Sequence, residues 1–264
     1  MEKIIIYMVI IISSNTIGAI SGMGGGVIIK PILDAFSTDP LVAINFYSSF
    51  AVFIMSIVST LKNTKGNNVK ISWTEILYLS GGSLFGGKLG DWLFMFLKAE
   101  LKNDAAVNLI QIVIVILSLL LALIYSQNSG WVFSKQTKTS LFLLSGVFLG
   151  TLSTFLGIGG GPINVALLIF VFNFDAKKAA IYSIASIFFS QFMKLVSLVP
   201  SIHKLPIDLH LLPFILISAL IGGYLGSTIS SRVSNKFVLW LYKLVVVFVI
   251  GLNVYNGVMI IGRL

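Results

Sequence analysis

Two stretches of this chain carry the residue types that could bind a small charged ligand with backbone alone. Gly22-Met23-Gly24-Gly25-Gly26 and Gly157-Ile158-Gly159-Gly160-Gly161 share the spelling Gly-x-Gly-Gly-Gly at an offset of 135 residues. Each lies between a long hydrophobic segment and a short one. A glycine inside a helix costs about 1 kcal/mol relative to alanine, so three in succession mark a deliberate break. At a break the amides lose their helical partners. A helix starting there also turns N–H groups and the positive end of its dipole toward a ligand. That chemistry suits a small anion. Glycines that only let helices cross closely are the better reading for Gly82/Gly86/Gly90 and Gly222/Gly226.

Other polar residues in apolar sequence extend the candidate set. Tyr47-Ser48 recurs as Tyr182-Ser183 at the same offset, just after each short segment. Ser183, Ser186, Ser190, Lys194 and Ser197 fall on one helical face, with Gln191 beside them, and could solvate an anion. Asn164 stands near the start of the second short segment. Of the charges at membrane depth, Lys88 is expected to pair with Asp91 three residues on, and Lys243 to snorkel. Lys30 and Lys194 have no such explanation, and intramembrane charges are functional candidates by default. The expected substrate-binding set is therefore Gly22, Gly24, Gly25, Gly26, Lys30, Tyr47, Ser48, Gly157, Gly159, Gly160, Gly161, Asn164, Tyr182, Ser183, Gln191 and Lys194. No catalytic or metal-binding group is expected and no cofactor. There is no cysteine, and the two histidines, His203 and His210, lie in or beside one loop.

The elements that must position these residues are membrane helices. Of 264 residues, 57% are hydrophobic and 10% charged, against roughly a quarter charged in soluble domains. Long apolar runs approach the ~20 residues that span a bilayer, while a β-barrel would show short alternating strands. The class expected is all-α and polytopic, in the plasma or inner membrane. The net charge of +9 is scattered over loops and helix ends, as topology signals are, and does not point to nucleic acid.

Ten segments are expected in two sets of five: Ile4–Gly22, Gly24–Phe36, Pro40–Leu61, Trp73–Leu97 and Val107–Tyr125, then Thr139–Gly157, Gly159–Phe172, Ala176–Val199, Leu209–Ile229 and Phe237–Ile261. Residues 1–126 form one repeat, 127–138 a polar linker and 139–264 the second, within one membrane domain. The repeat extends beyond glycine. Gly86-Gly87-x-Leu89-Gly90 matches Gly222-Gly223-x-Leu225-Gly226 at an offset of 136 residues. With an odd number of crossings per half the repeats are inverted, each having four long helices and one short, glycine-initiated half-helix. Charge bias favours this over a parallel arrangement. It puts Lys62, Lys65, Lys70, Lys135, Lys138, Lys177, Lys178, Arg232 and Lys236 inside, and Asp34, Asp39, His203 and Lys204 outside.

Ser21-Gly22-Met23-Gly24-Gly25-Gly26 with Pro31, and Gly157-Ile158-Gly159-Gly160-Gly161-Pro162, resemble the sulfite exporter TauE/SafE family of membrane permeases, over essentially the whole chain. The resemblance implies transport of a small sulfur-containing or organic anion such as sulfite, sulfoacetate or thiosulfate. The expected partners are that anion, the lipid bilayer and a proton as candidate coupling ion; the sequence sets no oligomeric state. Proline follows the second glycine run directly and the first only five residues later, so the two half-sites are not equivalent. An anion channel and a non-transporting receptor or accessory subunit are the alternatives. A membrane enzyme would need a nucleophile–base or metal constellation that the spans lack.

Overall fold

The computed structural model describes residues 2–66, 71–125, 135–200 and 205–262. Ten α-helices are described: α1 (Glu2–Ser21), α2 (Gly26–Phe36), α3 (Leu41–Gly66), α4 (Trp73–Leu101), α5 (Asp104–Tyr125), α6 (Lys135–Leu156), α7 (Gly161–Phe172), α8 (Ala176–Leu198), α9 (Leu212–Arg232) and α10 (Asn235–Ile261). No strand occurs among the described residues. Seven of the helices are long and apolar enough to cross a membrane. The ten expected segments and their order are those observed, with ends shifted by a few residues. Side chains set several starts. Ser72 accepts from Glu75 N at the head of α4, Asp175 from Lys178 N at α8 and Ser234 from Phe237 N at α10, each satisfying an otherwise free first-turn amide.

The short helices, α2 with 11 residues and α7 with 12, fall below the ~20 that span a bilayer. Lys3 at the start of α1 is ion-paired with Asp39 beyond the end of α2 at 2.8 Å, and Tyr7 meets Ser37 at 2.9 Å. Helices α1 and α2 therefore form a hairpin that enters the protein and returns to the same end. In α6 and α7 the same role falls to Phe142, stacked on Phe172 with ring centroids 3.9 Å apart.

Two triplets of helices form the body. Gly222 meets Asn15 and Gly226 meets Thr16 and Ala19, so α1 and α9 advance together. Tyr47 contacts Asp208 and Ser59 contacts Gly223, so α3 runs with α9. In the other triplet Gly82, Gly86 and Gly90 meet Leu143, Val147 and Thr151 in turn, so α4 runs with α6. Glu75 with Lys178 and Gly87 with Ser190 set α8 alongside them. Tight crossings of this kind need a residue without a side chain. A Cβ on Gly86 would collide with the Val147 carbonyl.

The described cations Lys62, Lys177 and Lys178 lie at the end where Ser72, Ser231 and Asn235 also sit, through Lys178–Glu75, Lys177–Ser231 and Lys62–Thr228 contacts. Asp39, Lys3 and Asp208 occupy the opposite end. The side chains of Lys65, Lys70, Lys135, Lys138, His203 and Lys204 lie outside the described residues.

Candidate functional site

Both glycine runs interrupt the helix, and each begins it again two residues later than expected. Helix α2 starts at Gly26 and α7 at Gly161, not at Gly24 and Gly159. The cause is backbone conformation: φ is +77° at Gly24 and +72° at Gly159, with Gly22 and Gly157 also positive. Only glycine takes that left-handed region without strain, so the chain turns there before helix can resume.

The two breaks meet. Gly161 N donates to Met23 O at 3.0 Å, joining the halves through backbone. A Cβ on Gly26 would strike Ile158 O, and one on Gly24 would lie 3.0 Å from Gly159 O. Gly24 N itself donates to Gly18 O at 3.3 Å. Those two amides, at Gly24 and Gly161, already have carbonyl partners.

Around the breaks sit buried polar side chains that lack partners among the described residues. Asn15 donates to Ala51 O at 3.2 Å, but its Oδ1, pressed against Gly25, accepts nothing. Asn45, whose amide abuts Gly157, has neither polar atom bonded. Ser48 Oγ lies 2.9 Å from the Cβ position of Gly26 and is also unpartnered. Asn164 Nδ2, beside Gly160, donates to Ser186 at 3.3 Å, and its Oδ1 is unpartnered. Ser183 is the exception, donating to Gly22 O at 2.6 Å. Each buried polar group left unmade costs on the order of 1–3 kcal/mol, so this concentration is not what packing alone selects.

Of the expected residues, the structure gathers both glycine runs, Ser48, Ser183 and Asn164 at the breaks. The tyrosine hydroxyls go elsewhere. Tyr47 accepts from Asp208 N at 2.7 Å at one end of the protein. Tyr182 accepts from Ser72 N at 2.9 Å and donates to Glu75 at 2.8 Å at the other. They brace the starts of α9 and α4. Lys30 is not a free cation: it pairs with Asp34 at 2.7 Å and donates to Asn108 at 3.1 Å, and the Asp34 side chain is 4% exposed. Gln191 donates to Ser153 at 2.9 Å, leaving Oε1 unpartnered. Lys88 and Asp91 do not pair as expected. Lys88 is exposed, while Asp91 is buried and faces Lys194. Asn15 was not anticipated at all. Its only signal is an amide inside an apolar helix.

Apolar helices holding two opposed breaks at their centre define a multi-pass transporter of the cell membrane. The comparisons agree with that class. A profile of the family described as Sulfite exporter TauE/SafE matches residues 6–255, and the chain belongs to that family. It is 25% identical over 280 aligned residues to the probable membrane transporter protein YunE of Bacillus subtilis (strain 168), covering 96% of this chain and 98% of that one. A probable membrane transporter protein of Methanocaldococcus jannaschii is 29% identical over 178 residues, covering 65% of this chain and 63% of its own. No solved structure matches significantly.

Proposed function

We propose that this protein carries a small anion of the sulfite, sulfoacetate or thiosulfate class across the membrane by alternating access, holding it where the two helix breaks meet. One observation carries the reading: Asn45, with both amide atoms unpartnered, abuts Gly157 of one break, and the unpartnered Ser48 hydroxyl abuts Gly26 of the other. Hydroxyl and amide donors there, with the positive ends of both helix dipoles, would replace the anion's hydration shell. The breaks are packed shut against each other, as the occluded member of an alternating cycle would be.

Supporting inversion, α1 ends against the beginning of α8 at Gly22–Ala180, and α6 ends against the beginning of α3 at Gly157–Asn45. Because α1 runs with α3 and α6 with α8, equivalent helices of the two halves then point opposite ways. Two inverted units rocking about a fixed site is the general mode of such carriers. The Lys177/Lys178 end faces the cytoplasm by the positive-inside rule.

Purified protein in vesicles, assayed for uptake of sulfite, sulfoacetate, thiosulfate and short carboxylates, tests the reading. Flux of at least one anion is expected, with Gly25→Val and Gly160→Val inserting normally and carrying none. Unchanged flux in both variants overturns the site. A single-channel current in place of slow, saturable uptake would make the protein a channel.

A further inference from the structure

Asp91 on α4 and Lys194 on α8 are 7% and 2% exposed. Each lies within electrostatic reach of the other. Asp91 Oδ1 has no hydrogen-bond partner among the described residues. Lys194 Nζ donates to Thr154 O at 3.3 Å, and that same oxygen accepts from Gly157 N at 3.2 Å. The ammonium therefore sits at the edge of the second helix break, sharing an acceptor with its first glycine. Lys30 on α2 adds a further positive charge facing Lys194, itself met by Asp34. From α6 the neighbouring groups are neutral: the Thr154 carbonyl and the Ser153 hydroxyl that binds Gln191.

The repeat-related corner of the fold supplies an internal control. At the repeat offsets, Lys194 corresponds to Ser59 (194 − 59 = 135) and Asp91 to Ser227 (227 − 91 = 136). Both serines are fully buried, and both donate to Gly223 O, at 3.4 and 2.5 Å. This corner of the fold is thus built once with two hydroxyls and once with two opposite charges. Packing does not require the charges. A buried ion pair adds little to stability, yet losing one member is costly, and ionisable groups at membrane depth mark function.

Building on the transport reading above, we propose that Asp91 is the proton-carrying group that couples anion movement to a proton gradient, with Lys194 as its fixed counter-charge. The carboxylate takes a proton onto its free oxygen from water on one side of the membrane and releases it to water on the other once the site has switched. With Asp91 ionised, its charge offsets that of Lys194. Once Asp91 is protonated, the lysine's field falls on the Gly157 break and an anion binds there more tightly. By reciprocity the bound anion holds the proton more tightly by the same factor, so the two travel together.

The test uses the full chain in vesicles containing a pH-sensitive dye, with gradients of thiosulfate and sulfoacetate, neither of which titrates near neutral pH. The unaltered protein should move protons with the anion, and its apparent affinity should improve about tenfold from pH 8 to pH 6, within the usual range of coupling. Asp91→Asn, which resembles the protonated carboxyl, should still exchange anion, at an affinity fixed near the low-pH value, and carry no protons. The double variant Asp91→Ser with Lys194→Ser copies the neutral Ser59/Ser227 pair of the repeat-related corner. It should fold, bind anion more weakly, and also carry no protons. Proton movement and pH dependence persisting in Asp91→Asn, or in the double variant if the single one does not assemble, overturns the proposal. If the unaltered protein moves none of the anions assayed above, the transport reading fails, and this proposal with it.

Discussion

Val52 and Ile187 stand 135 residues apart and press on the same glycine: a Cβ on Gly24 would lie 3.4 Å from Val52 Cγ1 and 3.3 Å from Ile187 Cδ1. Val52 also lies 2.6 Å from the Cβ position of Gly159, and Ile187 crowds that of Gly160. Equivalent residues of the two halves thus close over both breaks, and nothing larger than glycine fits between them.

Gly24→Ala should therefore reduce transport at least a hundredfold. Its φ of +77° strains any L side chain, and the added carbon meets Gly159 O at 3.0 Å. Fluorescence-detected chromatography should show a normal folded peak, and vesicle uptake should show the loss. Uptake within threefold of the unaltered protein would mean the break is not at the site.

Asn45→Leu separates function from stability. Both polar atoms of Asn45 are buried without partners, and leucine has much the same shape. Removing an unsatisfied amide of this kind should leave the melting temperature equal or higher, by about 1–3 kcal/mol of relieved desolvation, while transport falls. A joint loss of stability and transport would assign Asn45 to packing.

Gly86→Val should act on the fold alone. A side chain there meets the Val147 carbonyl and lies 2.8 Å from Thr151 N, forcing α4 and α6 apart. Overpacking of this kind costs about 1–3 kcal/mol, readable as a lowered melting temperature. Gly81→Ala, on the same helix with nothing within 4 Å, should leave stability unchanged or slightly raised.

The clasp between α1 and the α2–α3 turn should open in acid. Burial works to raise the Asp39 carboxyl, but hydrogen bonds from Lys3, Tyr7 and Ser37, with the charge of Lys3, outweigh it and hold it below the usual carboxylate range. A carboxyl depressed in the folded state stabilises it above the unfolded pKa of about 4. That contribution is lost as pH falls through the folded value. The chain has no cysteine, so spin labels on Ile5→Cys and Thr38→Cys report the clasp directly. A narrow distance distribution at neutral pH should broaden below about pH 4. In Asp39→Asn it should be broad throughout.

Segment order and the two helix breaks were legible in the sequence because each rests on a local cause. Hydropathy over about 20 residues decides what spans, and glycine's freedom at positive φ decides where helix stops. The step from break to helix start was not legible to the residue. It depends on which glycines take positive φ, Gly22 and Gly24 in one run and Gly157 and Gly159 to Gly161 in the other, which the letters Gly-Gly-Gly do not order.

Partnership among the polar residues came only from the tertiary structure. Sequence spacing put Asp91 with Lys88, but helix crossing turned Asp91 inward to Lys194, more than a hundred positions away, and left Lys88 outside. The duplicated Tyr-Ser pairs looked like one unit, yet each serine faces a break while each tyrosine hydroxyl braces the start of a helix in the other half. The sequence determined that this chain folds as paired broken helices in a membrane, since burial and backbone freedom act residue by residue. Which polar atoms meet, and which stay unpartnered beside the glycines, was decided by how helices distant in the chain cross, because a hydrogen bond is fixed by three-dimensional contact and not by spacing.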